Sequence, residues 1–167
     1  MRVPTGTKVV VGSSSGRVDI SGEVGPVSVT AESGRVSIES ADHVDVRSAS
    51  GKVTVEHARG NCRIRANSGS VLISSCENAD ISTASGRIEL GGVRGQVKAH
   101  CISGRIEISM LEARDVDAET VNGRIKVELP SGTHIHHTED PADSAPVGTD
   151  CVVLTRSVNG QVKVTTR

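Results

Sequence analysis

Ser85-Gly-Arg-Ile-Glu-Leu90 and Ser103-Gly-Arg-Ile-Glu-Ile108 are near copies of one another, 18 residues apart. Working outward from this pair, a Ser-Gly or Asn-Gly step recurs with its glycine at Gly16, Gly34, Gly51, Gly69, Gly86, Gly104, Gly123 and Gly160. Successive glycines lie 17 to 19 residues apart, and the last step, from Gly123 to Gly160, is 37, about double. Each glycine opens a similar string: GRVDI, GRVSI, GKVTV, GSVLI, GRIEL, GRIEI, GRIKV and GQVKV. A fixed period of this length is the mark of a stack of short structural repeats.

A second, weaker string lies about halfway round each period. It reads Val27 to Val29, Val44 to Val46, Cys62 to Ile64, Ala79 to Ile81, Val97 to Ala99 and Val116 to Ala118. Both strings alternate apolar and polar residues, so each predicts a strand with one face inward and one outward. Val and Ile dominate the inward places, as strands favour. One coil with two short strands cannot bury its own apolar face, but stacked coils share backbone hydrogen bonds and columns of like side chains. The expected fold is therefore all-β: a single-stranded β-solenoid of about 18 residues per coil, in seven to eight coils.

Small residues mark a third inward set near the corners. One line runs Ala41, Ala58, Cys76, Val93, Leu111, and another Ala31, Ser48, Ala66, Thr83, Cys101, Thr120. The repeated glycine is explained by a turn that needs positive φ. The period breaks once, in a polar excursion over about 130–150 that holds Pro130, Pro141 and Pro146. Thr133 to His137 reads as a strand, Thr138 to Asp150 as a loop, and Cys151 to Arg156 as a strand rejoining the stack. Residues 1–167 thus form one solenoid domain, compatible with being a piece of a longer exported or anchored protein.

Composition narrows the function. The chain has 167 residues, a net charge of −1 and no Phe, Tyr or Trp. A narrow core of small aliphatic side chains follows, and the aromatic platforms that stack on sugars, nucleobases and flat cofactors are missing. The charge balance does not favour nucleic acid as a partner. No apolar run approaches the length of a membrane span, and Val9 to Val11 is too short for a signal-peptide core. Cys62, Cys76, Cys101 and Cys151 form no C-x-x-C pair and read as free thiols filling the core. The compartment stays open between cytoplasm and envelope.

The serial SG-[RK]-V-x-[IV] strings resemble the bacterial adhesin-type β-strand-repeat domain, also called toast-rack. So do NGRIKVELPSG and RSVNGQVKV toward the end, and RVPTGTKVVVGSSSGRV at the start. The resemblance implies a right-handed β-helix, an envelope or envelope-stress setting, and no catalytic residues or cofactor to carry over. Two other solenoid types fit less well. Hexapeptide acyltransferases need an apolar residue at every sixth position, yet from Val36 that step lands on Asp42 and Ser48. Bactofilin-type polymers share a similar coil length but use a Gly-Asp-Ile pattern absent here.

Few residues stand out as sites. GSSSG at Gly12 to Gly16 matches a nucleophile-elbow pattern, but that motif needs a helix after the turn, and a strand follows here. His134, His136 and His137, with Glu139, Asp140 and Asp143 beyond them, form the densest set of metal-ligand types, without the spacing of a zinc site. Arg17, Arg35, Lys52, Arg87, Arg105 and Arg124 follow the repeated glycines and should stack about 4.8 Å apart in a basic ladder. Asp19, Glu89 and Glu107 face the same way and offset it. The expected function is a non-catalytic structural or interaction module, with a protein partner or self-association and no small-molecule substrate or cofactor. A bactofilin-like scaffold polymerising end to end is the alternative. Binding of a metal or an anionic polymer is a weaker one.

Overall fold

A computed structural model describes residues 4–138 and 151–166. Its strands are β1 (Val9–Ser13), β2 (Arg17–Val24), β3 (Val27–Ala31), β4 (Arg35–Ala41), β5 (Val44–Val93), β6 (Val97–Met110), β7 (Val116–Leu129), β8 (Ile135–Thr138) and β9 (Cys151–Thr166). All pair in parallel within one sheet, in the order β1-β3-β5-β6-β7-β9-β8, with β2 on β4 and β4 on β5. The chain is a β-solenoid of about seven turns.

The registers reproduce the repeat. Val9 pairs with Val27 and Val27 with Val44, while further along Ala79, Val97, Val116 and Val153 pair in succession. On the other side of the glycine corner, Ile88, Ile106, Ile125 and Val162 do the same. The corner belongs to the ladder as well: Gly86, Gly104, Gly123 and Gly160 are in register. That is why β5 runs unbroken for 50 residues. The inward columns form one continuous core from Val9 to Val153, with Ile38, Ile64, Ile73, Ile81, Ile88, Ile106 and Ile125 fully buried.

Close stacking makes the glycine obligatory, beyond the positive φ expected from the turn. Gly86 and Gly104 have φ of 131° and 151°. A Cβ on Gly104 would lie 1.9 Å from the carbonyl oxygen of Gly86 in the coil before, and one on Gly86 would lie 1.8 Å from that of Gly69. Each corner backbone therefore rests directly on the preceding one.

Two expectations need correction. Leu111 does not continue the inward line of Ala41, Ala58, Cys76 and Val93. Met110 does, paired with Val93, while Leu111 is 50% exposed. A bulge between Leu90 and Val93 places an extra residue at Gly91-Gly92, so the next coil reaches the corner one residue sooner. In addition, the strand expected over Thr133 to His137 begins at Ile135 and ends at Thr138. It pairs on the far side of β9, with Ile135 beside Cys151 and Thr138 beside Leu154. The chain thus runs one layer beyond the stack before β9 inserts against β7. Most of the expected loop, residues 139–150, lies outside the described residues.

Candidate interaction surface

The outward residue after each glycine is held in a column by the ladder beneath it. Arg17, Arg35 and Lys52 are in register, and so are Arg87, Arg105 and Arg124. Ser70 follows Gly69 in the coil between, and Gln161 pairs beyond Arg124, so the basic column comprises two triplets. Acids two residues along the same strands answer part of it: Arg17 to Asp19 at 3.9 Å, Arg87 to Glu89 at 3.2 Å and Arg105 to Glu107 at 3.8 Å. Arg35, Lys52 and Arg124 form no ion pair among the described residues. Such half-exposed pairs contribute little to stability and leave most guanidinium donors to solvent.

The glycines floor a trough beside the second triplet. Its volume is about 910 Å³, with Gly86, Gly104, Gly123 and Gly160 beneath and Arg87, Arg105 and Arg124 along one side. On the other side Ser85, Ser103, Asn122 and Asn159 stack, with Asn159 Nδ2 donating to Asn122 Oδ1 at 3.2 Å. One residue earlier in these coils come Ile102, Val121 and Val158, which are 56%, 39% and 74% exposed. The same place in earlier coils holds Glu32, Ala49, Asn67 and Ala84. Sequence reading passed over this apolar row because it falls at a turn, outside the two alternating strings. The change from small or polar to β-branched residues at a fixed place in the repeat was the available signal.

Polar side chains outside the repeated strings stitch the other corner. The Asn61 N–H donates to His43 Nδ1 at 3.3 Å, and Asn78 Nδ2 donates to Asn61 Oδ1 at 3.0 Å. The Gln96 N–H donates to Asn78 Oδ1 at 2.9 Å, and the Val152 N–H to Asp115 Oδ1 at 3.0 Å. At the glycine corner, Ser48 Oγ and Thr83 Oγ1 each donate to the carbonyl two residues on, at 3.2 Å. These hydroxyls clamp the turn besides filling space.

Ser14 lies in the turn between β1 and β2, and its carbonyl accepts from the Ser33 N–H at 3.1 Å. No helix follows it. His134 is exposed just before β8, and His136 and His137 pair with Val152 and Val153. Among the described residues no group of three or more His, Cys, Asp or Glu could hold a metal ion. Glu139, Asp140 and Asp143 lie outside the described residues. All four cysteines are free and buried. Burial raises the Cys62 thiol far above its ordinary range and Cys76 to about 12. It raises Cys101 too, against a backbone hydrogen bond at Ser103 that lowers it. Cys62, Cys76 and Cys101 are protonated, and inert as nucleophiles, at neutral pH. No helix among the described residues is long and apolar enough to cross a membrane.

No curated protein and no solved structure matches the chain. A family model does, the one described as Toastrack DUF4097, over residues 1–139. That span runs from the first residue through β8 and takes in both basic triplets, so this protein, a stacked parallel solenoid with a side-chain column on each glycine corner, belongs to the Toastrack DUF4097 family.

Proposed function

We propose that the chain is a rigid, adhesin-like interaction module of a bacterial cell envelope, presenting the outer face of its solenoid to a protein partner. The observation that carries this reading is the fixed column of outward side chains on an unbroken parallel ladder. Such a ladder holds recognition groups at one-coil spacing with little entropy left to lose on binding. The envelope setting rests on the resemblance of the serial strings. A photo-cross-linking residue at Thr54, outward in the middle of the stack, should give one discrete protein adduct in envelope fractions. A series of adducts between copies of the chain itself would replace this reading with the scaffold.

One observation favours that second reading. Val11 and Val18 in the first coil and Val162 and Val164 in the last are only partly buried, whereas Ile125 and Val127, one coil inward, are fully so. Apolar columns left partly exposed at the two ends of the described stack suit further stacking. Light scattering behind a sizing column separates the two. The module predicts a species of 17.3 kDa at every concentration, and the scaffold predicts growth.

A further inference from the structure

We infer that the corner formed by the last coils is a docking strip for an extended segment of a partner protein in which acidic and apolar side chains alternate. This rests on the module reading above and names its surface and partner chemistry. The strip has three parts. Ile102, Val121 and Val158 make a ridge of β-branched side chains on consecutive rungs, since Cys101, Thr120 and Ser157 just before them are in register. Across the intervening column of Ser103, Asn122 and Asn159 lies the trough, floored by glycine backbone and free of side chains beneath. Arg87, Arg105 and Arg124 make the far wall.

Each part contributes a requirement. Three neighbouring exposed β-branched residues form an apolar patch of the kind that marks a protein contact. The ridge spans about 10 Å at 4.8 Å per rung, enough for roughly three extended residues at about 3.4 Å each. Alternate side chains of an extended segment point to opposite sides. A segment lying over the trough therefore sends one set across the Ser–Asn column toward the ridge and the other to the arginines. The guanidiniums ask for carboxylates: Arg124 is free of ion pairs among the described residues, and Arg87 and Arg105 hold single contacts to Glu89 and Glu107 with donors to spare. The apolar ridge and the lack of any aromatic residue weigh against a glycan or a nucleic-acid strand, which would need stacking platforms. The first triplet lacks a ridge, because Glu32 and Ala49 stand in its place.

The test uses the whole chain and a fluorescent decapeptide of alternating Glu and Val, followed by anisotropy. Saturable binding is expected, weakening as salt is raised. The pair Ile102→Ser with Val121→Ser, and separately Arg105→Ser with Arg124→Ser, should each weaken it about tenfold. Arg17→Ser with Arg35→Ser should leave it unchanged. Thermal melts confirm that the variants fold, and competition of the parent protein with unlabelled peptide gives a readout that needs no variant. Absence of saturation overturns the inference. So does equal binding of oligoglutamate or polyphosphate, which would make the strip a general polyanion site, or an equal loss from the first-triplet pair. A negative result with a chain that stays monomeric and cross-links at Thr54 removes the strip and leaves the module. Growth in light scattering removes the module itself.

Discussion

At the scale of single residues, the glycine corner combines two demands that substitution can separate. Gly16 has φ of 120° and open space where a Cβ would go, whereas Gly104 has positive φ and a carbonyl oxygen 1.9 Å from that point. Gly16→Ala should lose about 1–2 kcal/mol from the strained backbone alone. Gly104→Ala must also push two coils apart and should lose more than about 4 kcal/mol. Urea denaturation of both variants checks this, and equal losses would mean that close stacking is unimportant. The buried thiols give a second prediction. The folded pKa of Cys76 lies near 12 against an ordinary 9.0, and Cys62 is raised further. The protonated thiol is the form the fold retains, so this contribution is fully present below pH 9. Above it the unfolded chain releases protons that the folded chain keeps, and stability falls by about 1.4 kcal/mol per pH unit for each thiol. Melting temperature should drop steeply between pH 9 and about 11, and Cys62→Ala with Cys76→Ala should flatten that slope while lowering stability at pH 7.

At the scale of the element, the strands owe their place to alternation, and Ile88 tests it. Its side chain is fully buried and pairs with Ile106 in the same inward column. Ile88→Asp places a carboxylate in that column without a partner and should unfold the middle of the stack, a loss above about 4 kcal/mol. A melt like the parent's would contradict the inward assignment. Alternation made the coil, its length and most core residues legible in the sequence, because period two and period 18 act together on Val, Ile and Gly. Leu111 was misplaced for a physical reason: a one-residue bulge at Gly91-Gly92 resets the count, and a bulge has no fixed sequence sign. The polar stitching through Asn61 and Asn78 was hidden because each side chain bonds to the coil beside it, a neighbour that spacing reveals only once the register is known. The basic column was legible from the residue after each glycine. The apolar row beside it was not legible, since a turn is where exposed polar residues are expected.

At the scale of the whole molecule, the solenoid is a one-dimensional stack in which each coil touches only its neighbours, so stability should vary along the axis. Val127 and Val164 occupy the same column on adjacent rungs, yet Val127 is fully buried and Val164, in the last coil, only partly. Val127→Ala removes methyl groups packed on both sides and should lose about 2 kcal/mol, whereas Val164→Ala should lose less than about 1 kcal/mol. Hydrogen exchange of the parent protein should show the same gradient. Amides of Gln161 to Thr166, which among the described residues pair with β7 only, should exchange by local fraying at low opening free energy. Those from Val44 to Val93, with coils above and below, should exchange only through the largest opening of the stack. Protection at the global value throughout both segments would make the chain a single all-or-none unit and remove the nearest-neighbour account. The gradient matters for recognition too, because the ridge runs into this terminal coil at Val158, one rung beyond Arg124. A bound segment crossing the rungs of Ile102, Val121 and Val158 would tie the fraying coil to the rigid middle. The alternating Glu–Val decapeptide should therefore slow exchange from Gln161 to Thr166 more than from Val44 to Val93.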